Sequence, residues 1–346
     1  MPYIPEDVRD TELTRKLSEF LHLRSRGKVR NTYELPGHPD KLLVVASDRI
    51  SIFDFVLNAL VPDKGAVLTA MTVMWLTQVL SLKNHLYAYG AHIDKSLLQV
   101  LRGNPDLQKR ALVVMGLKML PVECVVRAYL TGSGWKAYQK DQKVCGIQLL
   151  PGLHDGSRLE TPIFTPTTKA QVGHDEHILE ADALRLYGQD LKDLSLIAFR
   201  EGSYYAEKRG VILADTKFEF GKDSTGALVL ADEVLTADAS RLWRKSDWQV
   251  ADAEKRSPSG FDKEPVRQWG KTVETPFIDK AGQKIVGLQN LDPANQEHQL
   301  FVAMVSVPHE VIQATTERYR KIFEMLAPVP GMPLEQFQAD YMGIKG

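Results

Sequence analysis

Apolar residues recur at helical spacing over residues 11–23, where Leu13, Leu17, Phe20 and Leu21 share a face, and Ser25-Arg26-Gly27 ends that helix. The pattern then switches to alternation. Residues 28–35 and 41–46 read as the strands of a hairpin turned by Pro36-Gly37-His38-Pro39-Asp40, with Gly27 and Lys28 at its start. Further strands are predicted over 111–117 and 122–129, the second rich in β-branched residues, with a connector at 118–121. Gly132-Ser133-Gly134 stops the second strand, and 135–140 begins a helix or turn. Residues 144–169 are dense in Gly, Pro and Thr and read as a functional loop region. An amphipathic helix over 191–208 turns Leu191, Leu194, Ile197, Ala198, Tyr204 and Tyr205 inward. A second hairpin follows, 211–220 against 227–230. Residues 275–300 lack periodicity and read as an excursion. The last helix, 308–326, starts on Pro and carries Val311, Ile312, Thr315, Tyr319, Ile322, Phe323 and Leu326 along one stripe.

Composition narrows the class. The chain has 346 residues, 44% hydrophobic and 25% charged, which at roughly 150 residues per domain predicts about two domains of ordinary globular character. A formal net charge of −1 supplies no positive field to hold a nucleic acid by counterion release. The opening residues lack the basic-then-apolar order of a signal peptide, so a cytoplasmic protein is expected. The uncharged run 65–82 is nearly long enough to span a bilayer. Thr69, Thr72, Thr77, Gln78 and Ser81 break it, and a buried core helix is the better reading, with no membrane partner. Cys124 and Cys145 are too few for a disulfide framework or a four-thiolate zinc site.

Chemistry concentrates in a few places. On the strand 211–220, Asp215, Lys217 and Glu219 alternate and point to one face, while Thr216, Phe218 and Phe220 point to the other. Asp232-Glu233 follows the partner strand, where the hairpin brings it near Glu219. Such oxygen ligands suit Mg²⁺ on nucleotide phosphates, and a solvated face of salt bridges is the alternative. Arg26, Lys28 and Arg30 surround Gly27, a pattern open to phosphate binding or to a solvated basic strand. Arg127, on an apolar strand and followed by Gly132-Ser133-Gly134, suits a phosphate monoester or carboxylate, because a buried arginine without an anion is costly. Arg241 lies shortly after the acidic pair. Gly270-Lys271-Thr272 fails as a P-loop, since Pro265 stands where its first glycine belongs, and His174 with His177 lacks zincin spacing.

Together these segments resemble the phosphoribosylaminoimidazole-succinocarboxamide synthase (SAICAR synthetase) family. The resemblance is carried by RGKVRNTYEL at Arg26, VASDRISIFDFVL at Val45, PDKGAVLTAM at Pro62, LPVECVVRAYLTGSGW at Leu120, FTPTTKA and GHDEHI near Lys169 and His174, GVILADTKFEFG at Gly210, LADEVLTADASRLW at Leu230 and FDKEPVRQW at Phe261. Two departures are Ile52, where the family usually carries Ala, and the long 275–300 stretch. The resemblance implies an α+β, two-lobed fold related to kinase and ATP-grasp architectures. An antiparallel N-terminal lobe (residues 1–120) would stand over a larger C-terminal α+β lobe (121–346), with ATP in the cleft between them. It implies an ATP-dependent ligase acting on a carboxyaminoimidazole ribonucleotide and L-aspartate. On that footing Gly27, Lys28, Arg30 and Lys217 are expected at the ATP phosphates and Met119-Leu120 at adenine. Glu219 and Asp232 are expected to hold Mg²⁺, with Asp215 a weaker ligand. Arg127, Ser133 and Arg241 are expected on the ribonucleotide, Asp48, Ser51 and Asp54 on the substrate side, and Lys169, His174 and Asp175 as a closing segment. Lys217, Arg241 and Asp215 are the residues expected nearest the chemistry. A small-molecule kinase and a non-catalytic nucleotide-binding module are the rival readings, and monomer or homo-oligomer stays open.

Overall fold

The computed structural model describes residues 3–9, 11–169, 176–261 and 263–345. Two antiparallel sheets organise it. The first has the strand order Leu23–Arg26, Arg30–Leu35, His38–Ala46, Ala111–Met115, Leu86–Tyr89. Its inner face buries Tyr33, Leu43, Val45, Ala111 and Val113 against Leu17 of the first long helix, Glu12–Phe20, and against Leu21 just after it; Thr11 caps that helix by accepting from the Thr14 N–H. The predicted helix over 11–23 therefore stops early. Leu23–Arg26 is a strand instead, because it pairs with Arg30–Leu35 across the turn at Gly27, a tertiary choice that local spacing does not show.

The second sheet is built on the twelve-residue strand Val211–Lys222, which pairs with Val122–Tyr129 on one side and with Leu228–Ala231 and Ser240–Arg244 on the other. Lys118–Met119, within the predicted connector, also pairs with it. Arg158–Phe164 and Thr167–Thr168 pair with Val122–Tyr129, so the stretch read as loop contributes two strands to the sheet. The helix Gln189–Glu207 covers one face, burying Leu196, Ala198 and Phe199 among Cys124, Val126, Phe218 and Phe220. Ile197 and Tyr204, expected inward, lie at the margin of that stripe and are exposed. The opposite face carries the charged residues described below.

Every residue of Lys64–Met74 is buried, which accounts for the uncharged run, and a π-helical turn, Trp75–Val79, continues it. No helix among the described residues is long and apolar enough to cross a membrane. Gly132-Ser133-Gly134 does not merely end a strand but opens the helix Gly132–Asp141. The excursion at 275–300 holds a two-stranded ribbon, Glu274–Ile278 with Lys284–Val286, and the start of the helix Gln296–Met304, joined by Phe277 edge-on to Phe301. The helix His309–Leu326, predicted as the last, packs with Lys64–Met74 and with one more helix that follows it, Leu334–Met342.

Candidate active site

A cleft of about 860 Å³ lies between the two sheets. The turn at Gly27–Arg30 with Thr32, Leu42 and Val44 forms one wall, Met115, Leu117 and Met119 line the back, and Lys217, Glu219, Ala231 and Asp232 form the floor. Seven basic and five acidic side chains line it, an excess of positive charge that suits a polyphosphate.

The turn is shaped from below. Arg49, fully buried, donates from Nε to the Lys28 carbonyl at 2.9 Å and from Nη2 to the Gly27 carbonyl at 3.1 Å and Asn31 Oδ1 at 2.9 Å. The Gly27 N–H donates to the Arg30 carbonyl at 2.7 Å, and a β-carbon there would press on that same oxygen at 3.0 Å. Gly27 thus closes the turn with its amide engaged, and Lys28 and Arg30 reach the cleft on either side of Val29. Lys28 pairs with Asp54. Phe53 and Asp54 form the two-residue loop between the strands Arg49–Ile52 and Phe55–Leu60, both at positive φ (50° and 66°), conformations that non-glycine residues rarely adopt. That strained loop aims Asp54 into the cleft beside Ser51. Ile52 packs its Cδ1 where a β-carbon of Gly270 would sit, 2.6 Å away, so the bulkier residue is taken up by a glycine of the helix Glu264–Thr272. Asp48 is turned elsewhere: its Oδ1 accepts from the Gly65 N–H at 2.8 Å and lies 3.1 Å from Arg110 Nη1. It anchors the start of a core helix and is a correction to the substrate-side reading.

On the floor, charges alternate. Arg30 Nη2 lies 2.7 Å from Asp232 and 3.2 Å from Glu233. Burial works against the Arg30 charge, yet Asp232, Glu233 and Glu219 outweigh it and raise its pKa further. Lys217 Nζ sits 2.6 Å from Glu123 and 3.6 Å from Glu219, and these carboxylates likewise overcome burial and raise its pKa. Lys169 pairs with Glu219. Asp232, at φ 61°, is held ionised against burial by Arg30, Lys217 and Lys169. Glu219 is paired in register with Ala231, the residue before Asp232, so the hairpin brings the two acids together. No group of three or more His, Cys, Asp or Glu placed to hold a metal occurs among the described residues. A pair of carboxylates nevertheless matches Mg²⁺, which keeps waters and takes phosphate oxygens for the rest of its octahedron. Met119 lines the back of the cleft, whereas the Leu120 N–H is taken by the Phe220 carbonyl at 2.9 Å.

Farther along the same strand face lies a second cluster. Arg127, 3% exposed, donates from Nη1 to Asp215 at 2.6 Å, from Nε to Thr165 Oγ1 at 3.0 Å and from Nη2 to Ser133 Oγ at 2.9 Å. Arg241 reaches the same Asp215 oxygen. The missing β-carbons of Gly132 and Gly134 leave room for the two guanidiniums. Asp215 is thus the internal anion that makes a buried Arg127 tolerable, and it is committed to the arginines, away from the metal-ligand role weighed for it. The start of Gly132–Asp141 points backbone N–H groups at this spot, and Thr131 makes no side-chain cap there. At about 3.3 Å per residue, Asp215 and Glu219 stand roughly 13 Å apart along the strand.

Several residues in or beside the cleft are given no role by the sequence motifs that contain them. Glu123 shares a strand face with Arg127 and could have been found from that alternation. Asp238 is buried between Lys64 Nζ, at 2.6 Å, and the Tyr319 hydroxyl, and with Lys263 and Arg267 it lines the far side of the cleft. His174 and Asp175 lie outside the described residues. Cys124 and Cys145 are buried free thiols, Cys124 pushed up to about 12 by burial.

The family model for SAICAR synthetase matches residues 23–284. The chain belongs to the SAICAR synthetase family. The phosphoribosylaminoimidazole-succinocarboxamide synthase of Mycobacterium ulcerans is 42% identical over 317 residues, 90% of this chain and 95% of that protein. The SAICAR synthase of Saccharomyces cerevisiae, solved in complex with SAICAR, superposes with a TM-score of 0.73 at 32% identity, covering 92% of this chain and 97% of that one. A SAICAR synthetase solved with ADP shares the fold at a TM-score of 0.56 and 22% identity, over 88% and 97% of the two chains. The α+β architecture of two sheets and their covering helices is therefore the family's.

Proposed function

We propose that this chain joins L-aspartate to the carboxylate of 5-amino-1-(5-phosphoribosyl)imidazole-4-carboxylate with ATP, giving SAICAR, ADP and phosphate, in purine biosynthesis. The observation that carries this reading is one strand face bearing two anion sites. A polyphosphate cleft surrounds Lys217 and Glu219, and an Arg127–Ser133–Arg241 site lies roughly 13 Å along. A ribonucleotide with its 5′-phosphate on the arginines would lay its imidazole toward the ATP end. We assign residues 1–120 and 121–346 to the two lobes that form the cleft. A cytoplasmic setting belongs to the reading, since its phosphorylated substrates do not cross membranes unaided.

A carboxylate resists attack because its leaving group would be oxide. Transfer of the γ-phosphoryl group to a carboxylate oxygen gives an acyl phosphate and releases ADP. The aspartate amine then attacks the carbonyl carbon, and phosphate leaves with its bonding pair as the nitrogen loses a proton. Lys28 and Arg30 from above and Lys217 from below hold the phosphates, and their fixed charges meet the negative charge that spreads over the transferring group. Glu219 and Asp232 would hold Mg²⁺, which would neutralise phosphate charge when bound. Lys169 stands where it can exchange Glu219 for phosphate. Ser51 and Asp54 face the cleft on the side where ribonucleotide and aspartate enter.

The test is a coupled ADP-release assay with each substrate omitted in turn. ADP release should require both ribonucleotide and aspartate. Release that proceeds without aspartate would mark a small-molecule kinase, and ATP binding with no turnover would mark a binding module.

A further inference from the structure

His177 stands beside the Arg127–Ser133–Arg241 cluster, and the scheme above leaves it unused. A bridge to Thr167 anchors its backbone. Its Nε2 lies 3.4 Å from Ser133 Oγ, the hydroxyl that accepts from Arg127 Nη2. The ring is half-buried. The charged groups bearing on it are Arg127, from the strand Val122–Tyr129, and Lys140, from the helix Gly132–Asp141. Beyond Arg127, Asp215 is engaged by both arginines. Cys145, pushed up to about 11 by burial, stays a neutral thiol at physiological pH. Burial first, then Arg127 and Lys140, hold the imidazole below its usual range and hence neutral near pH 7.

We propose that His177 is a further ligand of the ribonucleotide phosphate and that it binds as an imidazolium, taking one proton from solvent as the phosphate dianion settles against Ser133 and the arginines. The inference rests on assigning that cluster to the phosphate. A phosphomonoester has a second pKa near 6, so above neutrality it arrives as a dianion and the proton comes from the buffer. Two negative charges next to Ser133 reverse the field that keeps the ring neutral, and Nε2 then donates a charge-assisted hydrogen bond. A permanent cation in this place would crowd Arg127 and Arg241 around one carboxylate. Histidine adds its charge only when the anion brings the compensation.

The test is calorimetric titration of the ribonucleotide near pH ~7.5 in two buffers of different ionisation enthalpy. In the unmodified protein the enthalpies should differ in the sense of proton uptake. In His177→Gln, which retains a donor but cannot be protonated, uptake should vanish and affinity fall about tenfold. The dephosphorylated nucleoside should bind both proteins equally. Equal uptake in the two proteins, or unchanged affinity, overturns the proposal. Ser133→Ala separates it from the reading on which it rests. If that variant keeps full ribonucleotide affinity, the phosphate assignment itself fails; if it binds weakly while His177→Gln does not, only the role of His177 fails. His177→Asn repeats the measurement should the glutamine variant lose binding of an ATP analogue.

Discussion

Gly132 offers the sharpest perturbation of the proposed ribonucleotide site. It opens the helix Gly132–Asp141 at φ +57°, and a β-carbon there would stand 2.3 Å from Nη2 and 2.7 Å from Cζ of Arg241. Gly132→Ala therefore does two things. The left-handed backbone costs an L-residue about 1–2 kcal/mol. The contact also pushes the guanidinium away, and because that group is the end of a flexible side chain, the arginine moves and the helix stays. A hydrogen bond to a charged group is worth about 1.5–3 kcal/mol, but Asp215 keeps Arg127 at 2.6 Å and a third of the Arg241 side chain is exposed, so only part is lost. The expected sum is about 2–3 kcal/mol, and at roughly 2–4 °C per kcal/mol the Tm should fall by about 4–12 °C. Ribonucleotide KM should rise about tenfold, since the displaced fork no longer meets the phosphate. ATP KM should move less than about twofold, because Lys28, Arg30 and Lys217 are held by other contacts. Coupled ADP release at saturating ATP and aspartate, with melting on the same preparation, decides the matter. A lower Tm with an unmoved ribonucleotide KM, or equal rises in both KM values, would refute the reasoning.

Three further outcomes are expected. Glu219→Gln keeps the shape but removes an anionic ligand, so the Mg²⁺ concentration for half-maximal activity should rise on the order of tenfold or more; an unchanged requirement would leave Glu219 and Asp232 as a structural salt-bridge face. Lys28→Met should raise ATP KM and spare aspartate KM, and equal rises would point to a folding defect. Lys64→Met should strand Asp238, at a cost on the order of 3–5 kcal/mol near pH 7. In the unmodified protein, burial opposes the Asp238 charge but Lys64 and Lys263 hold its pKa well below the usual range, a stabilisation present above the unfolded value of about 4 and lost as pH falls through the folded one. In the variant the folded pKa is raised, so protonation relieves the penalty and the Tm gap should narrow between pH 8 and 5. A gap that stays constant would show that Asp238 is not stranded as a buried charge.

What the sequence shows of the fold follows where the burial is. The strand Val122–Tyr129 and the helix His309–Leu326 carry their apolar residues at the right period because one face of each is fully covered. Arg158–Phe164 is not legible in the sequence because it contains Pro162 and pairs with Val122–Tyr129 through an irregular register, so no alternation marks it. Leu23–Arg26 reads as the end of the preceding helix because its strand conformation is set by the partner strand. The helices Gln296–Met304 and Leu334–Met342 are short, and their burial is shared among few residues, Val302 in one and Leu334, Phe337, Gln338 and Met342 in the other.

The candidate site shows a different limit. Period-two alternation puts Asp215, Lys217 and Glu219 on one face, but does not show which opposite charge each meets. Arg127 and Arg241 come to Asp215, Lys169 to Glu219, Glu123 to Lys217 and Arg30 to Asp232, each from a segment distant in the chain or on another strand. Asp48 and Asp54 look alike in the sequence; only the positive-φ loop at Phe53-Asp54 and the amide of Gly65 send one into the cleft and the other to a helix terminus. The pairing has a mechanistic consequence. Glu219 and Asp232 are already neutralised by lysines and an arginine, so a metal-bound polyphosphate gains little from bare Coulomb attraction. On the proposed reading binding would be an exchange, with Glu219 and Asp232 holding the metal in place of their present cations and Lys169, Lys217 and Arg30 turning to phosphate oxygens. Such an exchange keeps every buried charge compensated at each stage, whereas unpaired carboxylates awaiting a metal would carry a desolvation cost of several kcal/mol per ion.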